Sequence, residues 1–266
     1  MKHSLIVRKA APEEAGIAAH LLQLGVPPEV RRLTIWDSPH LAAYLAQFIE
    51  TIYVLAKDDT VIGAICVRCV DNKIYPQIMF VEPSERGNGY GNLLLGKALA
   101  AFAHEHSDLD EVLWDVASGR DTLESWYARL GGTECGRKGW WLAESTPLPS
   151  GQSSAPYVCR NRQHADCEQD QYGFSTLEIQ AQAAVVHVGK LPGPYFRVLN
   201  ADALADRRFL GTLNHLDKTR GILHIGGSEQ GPDTGGWKRL FVTRQLQFRV
   251  DALLLAFAQR EGVSHS

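Results

Sequence analysis

Cysteine is scarce in this chain of 266 residues: there are five, an odd number, with two close pairs at Cys66/Cys69 and Cys159/Cys167. That is not a disulfide framework. Cys66-Val67-Arg68-Cys69 has C-x-x-C spacing, but it lies inside the apolar run 61–70, where a strand sends the two thiols to opposite faces. A redox or zinc role is therefore not expected. Charge excess is missing too: 27 basic against 30 acidic residues give a formal −3, which excludes an overall basic field for nucleic acid or an anionic membrane. No apolar run approaches the length of a membrane span, and the opening Met1 to Arg8 is too short in its apolar part for a signal peptide. The expectation is a cytoplasmic protein without a membrane partner. What remains is an ordinary globular composition, 45% hydrophobic and 21% charged, in a chain long enough for one large or two medium domains, each with a core.

The stretch that organises the rest is Val81-Glu82-Pro83-Ser84-Glu85-Arg86-Gly87-Asn88-Gly89-Tyr90-Gly91. It follows the apolar run 74–81 and leads into leucines and alanines at helical spacing, so it reads as strand, turn, helix. Glycines at 87, 89 and 91 let the backbone bend tightly, and the new helix points unpaired N–H groups at whatever sits there. A pyrophosphate fits that description. No Lys-Ser/Thr pair follows the last glycine, and the spacing is wrong for G-x-G-x-x-G, so neither the Walker loop nor the dinucleotide fingerprint is present. The plain alternative is an ordinary glycine-rich connection.

Arg86-x-x-Gly89-x-Gly91 after Val-x-Pro resembles the acetyl-CoA signature Q/R-x-x-G-x-G/A of the Gcn5-related N-acetyltransferases, the GNAT superfamily. The order of elements agrees over residues 1–144. A strand at 4–8 is followed by helices near 11–24 and 38–49, then strands at 51–57, 61–70 and 74–81. The glycine loop, a helix at 91–106, a strand at 111–116, a helix at 121–130 and a strand at 134–143 complete it. The resemblance implies an α/β fold of α+β type on a mixed sheet, with acetyl-CoA as co-substrate. It places the pyrophosphate on the backbone of Arg86, Gly87, Asn88, Gly89, Tyr90 and Gly91. The pantetheine arm and acetyl oxygen fall on Met79, Phe80 and Val81, the stretch matching the family's bulged strand. Tyr127, in Tyr127-Ala128-Arg129-Leu130-Gly131, stands where the family tyrosine faces the sulfur and is the candidate general acid; the alternative is a tyrosine merely packed at a helix end. Gly132 replaces the family's phenylalanine, and Arg120 stands where an Asn is expected. At the position of the glutamate base of histone-type members stand Tyr75 and then Gln77, neither a good base. A water assisted by Glu82, Asp115 or a histidine is the remaining route. In the family the region 28–36 covers the acceptor, making Arg31, Arg32 and Trp36 candidates for substrate contact.

After Ala143 the composition shifts. Residues 145–156 are rich in Pro, Ser and Gly and read as a linker, leaving 157–266 as a second, smaller α/β domain. Its expected elements are strands at 183–188, 195–199 and 221–225 and helices at 201–216 and 238–260. Cys159-x4-His164-x2-Cys167 offers three ligands at unusual spacing and no fourth, so no metal is expected. The glycine-rich 226–236 lacks Gly-Lys-Ser/Thr and reads as a loop. The layout leaves room for a degenerate second GNAT-like half, with three roles open to it: completing the acceptor pocket, forming a homodimer, or binding a separate partner.

The resemblance thus implies a two-domain acyltransferase of EC 2.3.1 type, moving acetyl from acetyl-CoA to a primary amine by direct attack. A small-molecule amine is favoured over a protein because the chain has no basic or acidic tail, and nucleic acid is not expected as a partner. The rivals are a non-catalytic acyl-CoA sensor and an interaction protein whose second half does the work.

Overall fold

The computed structural model describes residues 4–118, 121–145, 157–181, 184–227, 231–232 and 236–263, with the side chains of 121–124 and 260–263 left aside. Arg120, nearly all of the expected linker and most of the 226–236 loop lie outside the described residues. In chain order the first half runs β1 (Leu5–Lys9), α1 (Ala15–Gly25), α2 (Pro28–Arg31), α3 (Leu41–Leu45), β2 (Ile52–Lys57), β3 (Thr60–Val70), β4 (Lys73–Val81), α4 (Tyr90–Glu105), β5 (Glu111–Ala117), α5 (Asp121–Arg129) and β6 (Thr133–Ala143). The second half runs β7 (Val158–Cys159), α6 (Arg162–Tyr172), β8 (Ser175–Gln180), β9 (Val185–Lys190), β10 (Tyr195–Val198), α7 (Ala201–Ala205), α8 (Arg207–Leu216), β11 (Gly221–Gly226), β12 (Lys238–Arg249) and α9 (Val250–Val263).

These elements form two compact units that draw on interleaved segments. The first unit comprises residues 1–27, 42–135 and 244–266; the second comprises 28–41 and 136–243.

In the first unit the strands lie in the order β1-β2-β3-β4-β5-β12. β1 through β4 are antiparallel neighbours, joined at β2–β3 by Asp58-Asp59 and at β3–β4 by Asp71-Asn72, all four residues at positive φ. Two successive residues at positive φ make the turn whose twist matches a right-handed hairpin, and Asp and Asn tolerate that conformation. The core packs α4, α5 and α9 onto this sheet through Leu94, Leu95, Phe102, Trp114, Tyr127, Phe248 and Phe257.

β12 corrects the helix expected over 238–260. Its first twelve residues are a strand, and only from Val250 does a helix run. Leu246 and Phe248 are buried with Gln247 half-exposed between them, a two-residue alternation. Leu246 also satisfies a 3.6-residue stripe with Val250, Leu253 and Phe257, so the local pattern fits a helix as well. α6, β7 and β8 also emerge only in the structure. α6 is too polar, with Ala165 and Tyr172 as its buried residues, to show an apolar stripe.

β12 explains Gly132. A Cβ there would lie 2.4 Å from Cζ of Phe248, whose ring also packs edge-on against Trp114 at 6.5 Å. The aromatic that fills this space thus comes from a residue more than a hundred positions further along the chain.

The second unit orders its strands β6-β11-β10-β9-β8-β7. It repeats the connectivity of the first: strand, helix, three antiparallel strands, then a helical connection to a parallel strand, with β10 and β11 parallel as β4 and β5 are. The segment 28–41 belongs to it. Leu33 packs with Leu142, Leu191, Tyr195 and Leu223, and the buried Ser38 hydroxyl donates to the carbonyl of Tyr172.

Truncation of Phe248 to Ala is expected to lower unfolding stability by about 3–5 kcal/mol in urea titrations. Gly132→Ala should destabilise the parent, whose Phe248 ring occupies that space, and should be nearly neutral in the Phe248→Ala background. Additive effects in that double-mutant cycle would mean the two positions do not share the space.

Candidate active site: a strand fork and a glycine loop

β4 and β5 are the parallel pair of the first unit, and they pair at a single register, Ile74 with Val112. The closed end is clamped: Lys73 Nζ reaches Glu111 at 2.5 Å, and Gln247 Nε2 of β12 donates to the same carboxylate at 2.5 Å. Beyond it the strands part. Pro76 has no N–H to offer a neighbouring strand, and Gln77 is skipped in the pairing with β3, where Cys66 faces Ile78 and Val67 faces Pro76. One extra residue of this kind bends and twists a strand. The bulge therefore sits at Gln77, upstream of Met79, Phe80 and Val81, which lead from it to the loop. Met79 is half-buried, and Phe80 and Val81 are buried.

The loop opens with a 3₁₀ turn, Pro83–Glu85, and Gly87 and Gly89 take φ of +84° and +77°. Nothing lies within 4 Å of where a Cβ at either would be, so glycine serves the backbone path and leaves open space above it. Gly89 caps α4, whose first main-chain bond runs from Leu93 N to Gly89 O. The N–H groups of Tyr90, Gly91 and Asn92 precede that bond and have no acceptor within the helix. Residues 86–89 are exposed. Arg86 turns back onto its own loop: its Nε donates to Val81 O at 3.0 Å and its guanidinium sits 5.0 Å from the Phe80 ring centre. Lys57 bonds both oxygens of Glu85 at 2.9 and 3.0 Å, fixing the 3₁₀ turn to the end of β2. Asn88 Nδ2 donates to Glu85 O at 3.1 Å. The loop is thus pre-formed: the Arg86 N–H is spent on Pro83 O at 3.3 Å, and the N–H groups at the start of α4 beside the exposed glycines are the donors an anion site needs.

Tyr127 comes from the last turn of α5. Its ring packs against Trp114 at 4.7 Å and Trp126 at 4.8 Å, and the Trp126 indole donates to Asn92 Oδ1 in the first turns of α4 at 3.0 Å. α5 is so tied to the helix that begins at the glycine loop. Burial pushes the Tyr127 hydroxyl well above its ordinary pKa, because an ionised phenol loses its water there.

On β4 and β5 the fork also carries Tyr75 and Asp115. Tyr75 Oη donates to Asp115 Oδ2 at 2.6 Å, and burial followed by the Asp115 charge raises the tyrosine pKa. Asp115 is therefore held at the fork by a neutral phenol. Arg31, Arg32 and Trp36 belong to the second unit, where Arg31 pairs with Asp37 at 3.3 Å and Trp36 is buried. Among the described residues no group of three His, Cys, Asp or Glu side chains is placed to hold a metal ion, and no helix is long and apolar enough to cross a membrane.

Among the described residues the second unit has neither feature. β10 and β11 pair at four successive positions, from Tyr195–Gly221 to Val198–His224. β10 passes into α7 through Leu199 and Asn200 alone, and the Asn200 side chain itself takes the free N–H of Ala203. A closed strand pair and a capped helix offer no counterpart of the fork or the loop.

Residues 49–131, which contain the fork, the loop and Tyr127, match the sequence model of the acetyltransferase (GNAT) domain. No curated relative matches the chain in sequence at a significant level. In fold the whole chain is similar to a tandem GNAT protein from the clavulanic acid biosynthesis pathway, with a TM-score of 0.65 at 15% identity, covering 93% of this chain and 99% of that one. It is also similar to a GCN5-related N-acetyltransferase from Sphaerobacter thermophilus, with a TM-score of 0.57 at 12% identity, covering 92% and 96%. The split strands, the glycine loop and the family match agree on the same stretch: residues 49–131 match the acetyltransferase (GNAT) domain, within a mixed α/β fold that the solved GNAT structures share.

Proposed function

We propose that the protein is an N-acetyltransferase that acts on a primary amine of a small molecule by direct attack, with the unit of residues 1–27, 42–135 and 244–266 as the catalytic half, in place of the 1–144 expected from the sequence, and the unit of 28–41 and 136–243 as a half without catalysis. The observation that carries this reading is the open fork between β4 and β5 running into a pre-formed glycine loop and the N–H donors at the start of α4. When bound, acetyl-CoA supplies an acyl group already activated as a thioester. The backbone of Gly87 to Gly91 holds its pyrophosphate, and Met79, Phe80 and Val81 supply the strand edge along which the pantetheine arm lies. Tyr127 keeps its proton at neutral pH because it is buried, and offers it as a hydrogen bond to sulfur. Asp115, steadied by Tyr75, takes the proton that the amine must lose before it can act as a nucleophile. Direct attack needs no protein nucleophile. Cys66, the buried cysteine of this unit, has its thiol pushed up in pKa by burial and points to Gln77 Oε1 at 3.5 Å, so it does not form a ready thiolate.

Calorimetric titration with acetyl-CoA is expected to show one equivalent bound per chain, since the described residues of the second unit include no such loop or fork. Gly89→Glu, alone or with Arg86→Glu, should abolish binding while leaving the circular dichroism unchanged. A folded parent that binds no acetyl-CoA would overturn the acetyltransferase reading.

Tyr127→Phe keeps the ring packing and removes the proton. We expect kcat to fall about 100-fold, within the range for a positioned acid, with the KM for acetyl-CoA little changed. A raised folded pKa keeps the hydroxyl protonated beyond the point where a free tyrosine ionises, about pH 10. The pH profile of kcat should therefore show no tyrosine limb below that value, and one appearing near pH 9 that vanishes in Tyr127→Phe would contradict the burial argument.

A further inference from the structure

Arg68 takes no part in the arrangement described so far. It lies on β3 directly opposite Tyr75 of β4, so the two side chains rise from the same face of the sheet. Tyr75 in turn reaches Asp115 of β5. Arg68, Tyr75 and Asp115 thus form a chain across three strands on one face of the sheet, with Asp115 two residues further along β5 than the position level with Tyr75.

The surroundings of Arg68 do not satisfy it. Its guanidinium carbon lies 4.9 Å from the ring centre of Phe48 and 5.6 Å from that of Tyr44. Nη1 donates to Tyr44 Oη at a long 3.4 Å. Nε and Nη2 are closed off from solvent and make no hydrogen bond of good geometry; the Cys66 thiol beside the guanidinium is a weak sulfur acceptor and no substitute for a carboxylate. No carboxylate among the described residues pairs with the guanidinium, and Asp115 stands on the far side of Tyr75. Aromatic faces attract a cation, but they do not accept the in-plane N–H bonds. A buried donor left unmade costs about 1–3 kcal/mol, and more on a charged group. An aliphatic residue would stabilise this spot better if packing were its only purpose.

The identity of the two orphaned atoms is informative. Nε and Nη2 share one edge of the planar guanidinium, the edge that meets both oxygens of a carboxylate in parallel. We propose that Arg68 binds the carboxylate of the acetyl acceptor, so that the substrate class is an amino carboxylate. Asp115 at the other end of these three then faces the amine. Two strand spacings, roughly 10 Å between backbones, are the least that separates these ends, since β4 and β5 have begun to part between Tyr75 and Asp115. That distance suits an amine carried several bonds from the carboxylate and not an α-amino group, which shares one carbon with it. Entry to the buried Nε–Nη2 edge requires a side chain over it to shift, and the Phe48 ring lies nearer the guanidinium than that of Tyr44. Phe48 stands where the 3₁₀ segment Ala46–Thr51 departs from helical geometry, at φ −130° and ψ 30°.

The word acceptor rests on the acetyltransferase reading; the carboxylate site does not, and the test separates them. The full-length protein is titrated calorimetrically with ε-aminocaproate and with n-hexylamine, which has the same chain without the carboxylate, each with and without saturating CoA. ε-Aminocaproate should bind at least about 100-fold more tightly, the order of discrimination expected when a buried donor pair loses its partner. Arg68→Gln should erase that difference and leave acetyl-CoA binding unchanged. Arg68→Lys, which keeps the charge without the fork, guards against a misfolded Gln variant and should weaken ε-aminocaproate alone by about tenfold. In thiol-release assays the same preference should appear in kcat/KM. Equal binding of the two probes, no binding of ε-aminocaproate, or equal loss of both in the Arg68 variants would overturn the proposal and leave Arg68 a strut for Tyr44 and Phe48. Failure of acetyl-CoA itself to bind would instead overturn the acetyltransferase reading, with the ε-aminocaproate titration still deciding the anion site.

Discussion

The arrangement of the first unit depends on the parting of two parallel strands. Parallel neighbours ordinarily continue their ladder, since each unpaired N–H or carbonyl that is buried costs free energy. Here the ladder stops after Ile74 and Val112 because Pro76 removes a donor and Gln77 is extruded as a bulge. The Lys73–Glu111–Gln247 clasp holds the strands together below that point, so the opening has a fixed origin. Everything ascribed to the site follows from it. The glycine loop lies at the far end of β4, Tyr127 is braced through Trp126 to the helix that starts at the loop, and Tyr75 and Asp115 line the fork. The opened backbone groups are left for a ligand to use.

The second unit shows what happens without that interruption. With the same connectivity, β10 and β11 stay zipped through four positions, and Asn200 caps a five-residue helix with its own side chain. Its contribution is of another kind, because its segments interleave with those of the first unit. Residues 28–41 are built into the second unit, while β12 and α9 complete the core of the first. Phe248 in the space above Gly132, and Phe257 with its Cβ 3.1 Å from where a side chain on Gly96 would begin, are the physical terms of that completion. The first unit's core therefore includes residues from both ends of the chain.

The loop was legible because its signal is local: alternate glycines between a β-branched run and a helix dictate backbone geometry within a dozen residues. The strand order of the first half was legible for the same reason, each element carrying its own period and each hairpin its own turn residues. Arg68 was not. A charged residue near the end of a strand reads as a solvent-facing position, and its burial follows only from Tyr44 and Phe48 folding over it and from the bulge that sets it opposite Tyr75. Pro76 was visible in the sequence, and proline inside a central strand is itself a marker of a bulge, so this signal was present but unread. Residues 238–260 misled because Leu246, Val250, Leu253 and Phe257 fit a helical stripe. The choice between helix and strand fell to the packing of Leu246 and Phe248 into the core.

By itself, then, the sequence determined the backbone path of the anion loop, the hairpins, and the absence of a second such loop, since these depend on which φ values glycine, Asp and Asn permit. The tertiary structure decided which strands part, which aromatic fills the void at Gly132, and which charge is left unpaired in the interior. Those outcomes depend on pairing register and on contacts between residues as far apart as Gly132 and Phe248. No period or local spacing encodes a contact of that range; it exists only once the burial of both partners has been won together.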